Sequence, residues 1–154
     1  MEKNIKELAG VLIDSDSRQV VPVVVLAEKR ADGWSSYHAL KELIGCHLVG
    51  CACVADNIGG GRFALDMWHD DEFAFRLEAD GTAAGFRLAG YTIVGRAVIL
   101  GCDLETGETV GLNEMGLGAA FADFLVDHTA KNVKFGVVGD EIPFNPAFQV
   151  VELA

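Results

Sequence analysis

The sequence predicts an α+β fold: one domain over residues 1–154, a mostly antiparallel sheet, and two short helices packed on it. Three observations point there. Short β-branched or alternating runs, separated by turn residues, recur along the whole chain. Only two segments carry apolar residues at helical spacing. A doubly wound parallel sheet would need more helices between its strands.

The elements follow in order. Glu2 to Leu12 fits either a strand or a short helix, and Val11-Leu-Ile13 runs into an Asp14-Ser-Asp-Ser17 turn. Val20 to Leu26 is β-branched, and Pro22 places that strand at an edge or near its own start. Arg30 to Gly33 reads as a turn. Ser35 and Ser36 suit a helix cap, with Tyr37, Leu40, Leu43 and Ile44 at helical spacing and Gly45 as the stop. His47 to Val54 is a strand, followed by a flexible connection from Asp56 to Gly61. Arg62 to Trp68 alternates, with Phe63, Leu65 and Met67 on one face. His69 to Glu72 is then a polar turn, and Phe73 to Leu77 a returning strand of the same hairpin. Asp80-Gly81 signals another turn. Tyr91 to Leu100 is nearly all apolar, as in a central strand covered on both faces. Glu105 to Glu108 is a hairpin turn. Asn113 caps a helix from Glu114 to about His128, with Leu117, Phe121, Phe124 and Leu125 on one face. Val133 to Val138 and Phe148 to Leu153 are short strands.

Composition narrows the function. Residues are 51% hydrophobic and 23% charged, so the chain is globular rather than disordered. Twenty-three acidic against 12 basic residues give a net charge of −11, which disfavours binding to nucleic acid or anionic lipid. The longest apolar run, Val20 to Ala27, is too short to span a membrane, and the first residues lack a signal-peptide pattern. Four cysteines without an export signal read as reduced thiols, and the expected compartment is the bacterial cytoplasm.

No catalytic constellation stands out. On a strand from residue 47, His47, Cys51 and Cys53 share a face that Cys46 does not, but they spread too far for one zinc, and no Cys-x-x-Cys occurs. Cys102 is followed by Asp103, a poor neighbour for a thiolate. Gly59-Gly-Gly61-Arg62 offers backbone N–H groups to a phosphate but lacks the P-loop pattern. The best binding candidate is Trp68, exposed beside His69, Asp70, Asp71 and Glu72, with Arg62 at the start of the same hairpin. Neither a cofactor nor a metal is expected.

Several segments carry a resemblance. Val23-Val-Val-Leu-Ala27, Ala39-Leu-Lys-Glu-Leu-Ile-Gly45, Leu65 to Phe73, and Ile93-Val-Gly-Arg-Ala-Val-Ile-Leu-Gly101 occur in an order that resembles the domain-of-unknown-function family numbered 3846. The likeness covers roughly residues 20–128, leaving 129–154 as an extra C-terminal segment. Where that family carries a proline and asparagine segment, this chain has Ala83-Ala-Gly-Phe-Arg-Leu-Ala-Gly90. The resemblance implies an accessory protein of phages, plasmids and other mobile elements. The resulting expectation is a noncatalytic binding or interaction module for a protein or small ligand. Two alternatives stand beside it: an acidic DNA mimic of the antirestriction type, and a small enzyme acting on a nucleotide or phosphate compound.

Overall fold

The computed structural model describes residues 4–72, 82–139 and 151–152. Every strand pairing in it is antiparallel. The chain opens as a hairpin of β1 (Ile5–Asp14) and β2 (Gln19–Arg30), which decides the first segment in favour of a strand. A short β3 (Gly33–Ser35) returns along the end of β2 and leads into α1 (Tyr37–Ile44). A second hairpin joins β4 (Val49–Ile58) to β5 (Phe63–Asp70). Two strands, β8 (Arg96–Asp103) and β9 (Thr109–Val110), complete a large sheet of order β3-β2-β1-β8-β5-β4, with β9 beside the far end of β8. A small sheet has the order β11-β10-β6-β7, from β6 (Thr82–Leu88), β7 (Tyr91–Val94), β10 (Lys134–Gly139) and β11 (Val151–Glu152). Pro22 does lie at an edge, because β3 pairs only with residues 28–30 of β2.

The large sheet is the middle layer. Alternation along β8 sends Val98 and Leu100 to one face, where they pack with Leu8, Val25, and Leu40 and Ile44 of α1. Ala97 and Ile99 point to the other, against Phe86, Ile93 and Phe135 of the small sheet and Leu125 of α2 (Phe121–Asn132). Phe86 and Phe135 are fully buried and meet edge to face, ring centroids 6.2 Å apart. Burial on both faces is why β8 reads as a continuous apolar run.

Three expectations need correction. Tyr91 to Leu100 is two strands in different sheets. The chain turns at Gly95, with φ of 80°, whose N–H donates to the Ala84 carbonyl at 3.1 Å and whose carbonyl accepts from Ser15 at 3.2 Å. Hydrophobicity alone hides such a break, because both halves are buried. The predicted helix from Glu114 begins only at Phe121. Residues Leu112–Glu114 form one 3-10 turn, and Gly116 and Gly118, at φ 71° and 93°, interrupt the path. Asn113 caps nothing there; its Oδ1 accepts from the Ala9 N–H at 3.0 Å. Leu125 is buried as expected, but Phe124 is 60% exposed. Finally, β4 and β8 occupy both edges of β5 from Phe63 to His69. A hairpin between that stretch and the returning strand at 73–77 is thus ruled out; that strand and the Asp80-Gly81 turn lie outside the described residues. At the other end of the chain, Val133, Phe135 and Val138 are fully buried, so β10 belongs to the core.

Candidate functional site

A broad concavity lies on the α1 face of the large sheet. It is a cleft of about 800 Å³ between β3, the start of α1 and the turn that joins β8 to β9. Each wall has a local cause. The tight return from Arg30 to Gly33 sets Trp34 beside Lys29 in register and leaves its indole half-buried, with Lys6 Nζ 5.0 Å from the ring centre. Ser35 and Ser36 then turn the chain into α1, whose Leu40 and Ile44 anchor it on the sheet. That docking presents Tyr37 at the rim, with Lys41 Nζ 4.9 Å from its ring. Opposite stand Gly107, Glu108 and Thr109, and a Cβ on Gly33 would lie only 2.9 Å from Glu108 Oε1. That close approach is what glycine permits there.

Trp68 forms the deep wall. It sits in β5 between Cys51 and Val98, on the α1 face, and is half-buried rather than exposed. Its indole Nε1 is buried without any hydrogen-bond partner. An unmet buried donor costs about 1–3 kcal/mol. The polar rim is balanced: Arg30 and Lys41 face Asp32 and Glu108 around the cleft. Arg30 is held by Glu28 at 3.1 Å.

The other sequence candidates stand elsewhere. His69 points to the opposite face, half-buried, with Nδ1 3.3 Å from the Asp70 carbonyl. Asp70 is 4% exposed, and its Oδ1 accepts from the Glu72 N–H at 2.9 Å. Asp71 is exposed and donates its N–H to the Leu48 carbonyl at 2.9 Å. Asp70 and Asp71 thus close the end of β5 and its turn. Arg62 lies six residues from Trp68 along the strand, roughly 20 Å away. It clamps Asp103 at 3.1 Å and Glu105 at 3.6 Å, tying the Gly59–Gly61 turn to the β8–β9 turn. That hydrogen bond holds the Asp103 carboxyl below its usual range and leaves Arg62 engaged rather than offered to a phosphate.

Beside the cleft, on the same sheet face, Cys53 pairs in register with Asp66, and Cys51 and Cys102 flank them. Burial, and then the Asp66 charge, push both the Cys51 and Cys102 thiols up. Asp66 itself is raised by burial. Thiols held protonated are poor nucleophiles. His47 precedes β4 and does not join this group on the strand. Among the described residues, no three His, Cys, Asp or Glu side chains are placed to hold a metal ion. Nor is any helix among them long and apolar enough to cross a membrane.

The chain matches no family model, no curated protein and no solved structure. The site thus rests on its own geometry. Of the binding candidates read from sequence, Trp68 alone lines the cleft; Trp34, Tyr37, Lys41 and Glu108 line it too but were not read as binding residues. A usable signal existed: Trp34 and Tyr37 flank the Ser35-Ser36 helix start, the place where a loop delivers side chains onto a sheet face.

Proposed function

We propose that this chain is a noncatalytic binding module whose ligand is a small molecule held in the cleft between β3, α1 and the β8–β9 turn. The observation that carries this reading is the wall of three aromatic side chains, Trp34, Tyr37 and Trp68, around a cavity of about 800 Å³. Ligand sites are typically concavities of about 300–1,000 Å³ with apolar walls and a few polar groups. Burial and the Asp66 charge raise the Cys51 and Cys102 thiols, which disfavours these two as nucleophiles. The resemblance to family 3846 supports a place among mobile-element accessory proteins.

A thermal-shift screen with nucleosides, nucleotides, aromatic acids and divalent metals tests it. A ligand at a hundred times its Kd adds about 2.7 kcal/mol of stability. In a domain of this size that raises Tm by roughly 5–10 °C. Trp34→Ala should abolish the shift. Chemical turnover of any bound compound would overturn the noncatalytic claim.

A further inference from the structure

We propose that a second copy of this chain pairs with it along the free edge of β2, the two β2 strands running antiparallel with Val23 opposite Val23. Two large sheets then join into one. This surface is separate from the cleft and does not depend on it. The edge is open. β3 covers only Glu28–Arg30, and among the described residues no strand lies outside Gln19 to Ala27. Val20 to Ala27 holds no charged residue, and Val24 and Leu26 are 53% and 47% exposed. A groove of about 300 Å³ runs between Val24 and Leu26 on one side and Ala39, Glu42 and Leu43 of α1 on the other. Sheet edges that stay single usually carry charge or are covered; this one is bare and apolar.

The backbone decides which groups face outward. β2 pairs with β1 in unbroken register, and the Lys29 N–H donates to the Asn4 carbonyl at 2.8 Å. Odd-numbered positions of β2 therefore turn N–H and C=O toward β1, and Val20, Pro22, Val24 and Leu26 turn theirs outward. Pro22 fits this, since it has no N–H to give β1. With Val23 at the centre, Val20 exchanges two hydrogen bonds with Leu26 of the partner subunit. The Val24 N–H donates to the carbonyl of the partner's Pro22. Symmetry doubles these to about six bonds. Centring on Pro22 sets proline against proline and loses the central pair. Centring on Val24 sets Val20 against Glu28, whose outer side β3 already holds. The favoured register also matches charge. Beyond the strand, Arg18 lies toward Glu28 of the partner subunit and Asp16 toward the partner's Arg30, opposite signs in both cases. That self-complementarity commits the edge to a second copy. The net charge of −11 opposes it only weakly, because exposed charges are screened beyond about 8 Å at physiological salt.

Sedimentation velocity of the whole chain over a micromolar concentration series, with residue-resolved amide exchange, tests this. The expected result is a reversible dimer. In it the Val20, Val24 and Leu26 amides exchange roughly tenfold more slowly than in the dilute monomer, while Val21, Val23 and Val25 are protected in both. Val24→Lys charges an exposed position and should weaken the dimer roughly tenfold with the monomer still folded. Arg18→Glu should weaken it too, and adding Glu28→Arg should restore it, which keeps the test open if Val24→Lys misfolds. A chain that stays monomeric throughout would overturn the proposal and leave the edge to a strand of another protein. A dimer whose three outward amides exchange at the monomer's rate, or one that Val24→Lys leaves intact, would overturn it as well.

Discussion

At the scale of single residues, Trp68 joins two demands that usually conflict. Its ring packs against the Val98 and Leu100 cluster, yet its Nε1 finds no partner there. Replacing it with Phe loses some apolar contact and also removes the unmet donor, so Trp68→Phe should stay within about 1 kcal/mol of the parent in urea denaturation. Trp68→Ala, by contrast, should cost about 3–5 kcal/mol. Two carboxylates act in opposite senses with pH. Asp103 is held down by the Arg62 hydrogen bond, so its stabilisation is present above the unfolded value of about 3.9 and is lost as pH falls below it. Asp66 is raised by burial, so its cost appears as pH rises above that same value. Denaturation from pH 3 to 7 should therefore show a shallower loss of stability in acid for Asp103→Asn, and a more stable protein at pH 7 for Asp66→Asn.

At the scale of elements, the cleft depends on how α1 and the two hairpin returns are held over the large sheet. Leu40, 1% exposed, is the main anchor of α1. Leu40→Ala should cost about 2–5 kcal/mol in denaturant titrations and weaken ligand binding with it. Gly95 is the other critical position. A side chain there meets no atom within 4 Å, but the residue adopts φ of 80°. Gly95→Ala should therefore cost about 1–2 kcal/mol through backbone conformation alone. A much larger loss would mean that the crossing between the sheets is packed more tightly than its geometry indicates. Elements with a local signature were legible from sequence: the β-branched β2, α1 between Ser36 and Gly45, alternating β5, and the β8–β9 turn. The break at Gly95 and the late start of α2 were not. Both occur at glycines with a left-handed backbone, Gly95 in one case and Gly116 and Gly118 in the other, and apolar pattern carries no trace of that.

At the scale of the whole molecule, the large sheet separates two different environments, and this decides what the net charge of −11 can do. Asp123 and Asp127 lie on α2, while Asp32 and Glu42 stand on the side of α1, across the sheet. Charge on both faces suits solubility better than imitation of a DNA strand. The chain should therefore fail to release duplex DNA from a basic DNA-binding protein at about 0.15 M salt, as read by fluorescence anisotropy. Release at micromolar concentration would favour charge mimicry instead. The same scale explains why the site was only partly legible. Trp34, Tyr37, Trp68 and Glu108 are scattered over 75 positions of sequence and line one cleft only in the folded chain. Local reading grouped Trp68 with its acidic neighbours, but alternation sends His69 to the opposite face, and Asp70, the last residue of β5, accepts from the Glu72 N–H of the turn.

The most direct test of the cleft is the indole region of a two-dimensional proton–nitrogen NMR spectrum during titration with a compound that raises Tm in the thermal-shift screen. The chain has 2 tryptophans, so two Nε1–H signals report on its two indole walls. Both should shift saturably, with amide changes confined to residues 30–41, 68 and 107–109. Shifts centred on residues 69–72 or on α2, with both indole signals unmoved, would contradict the account.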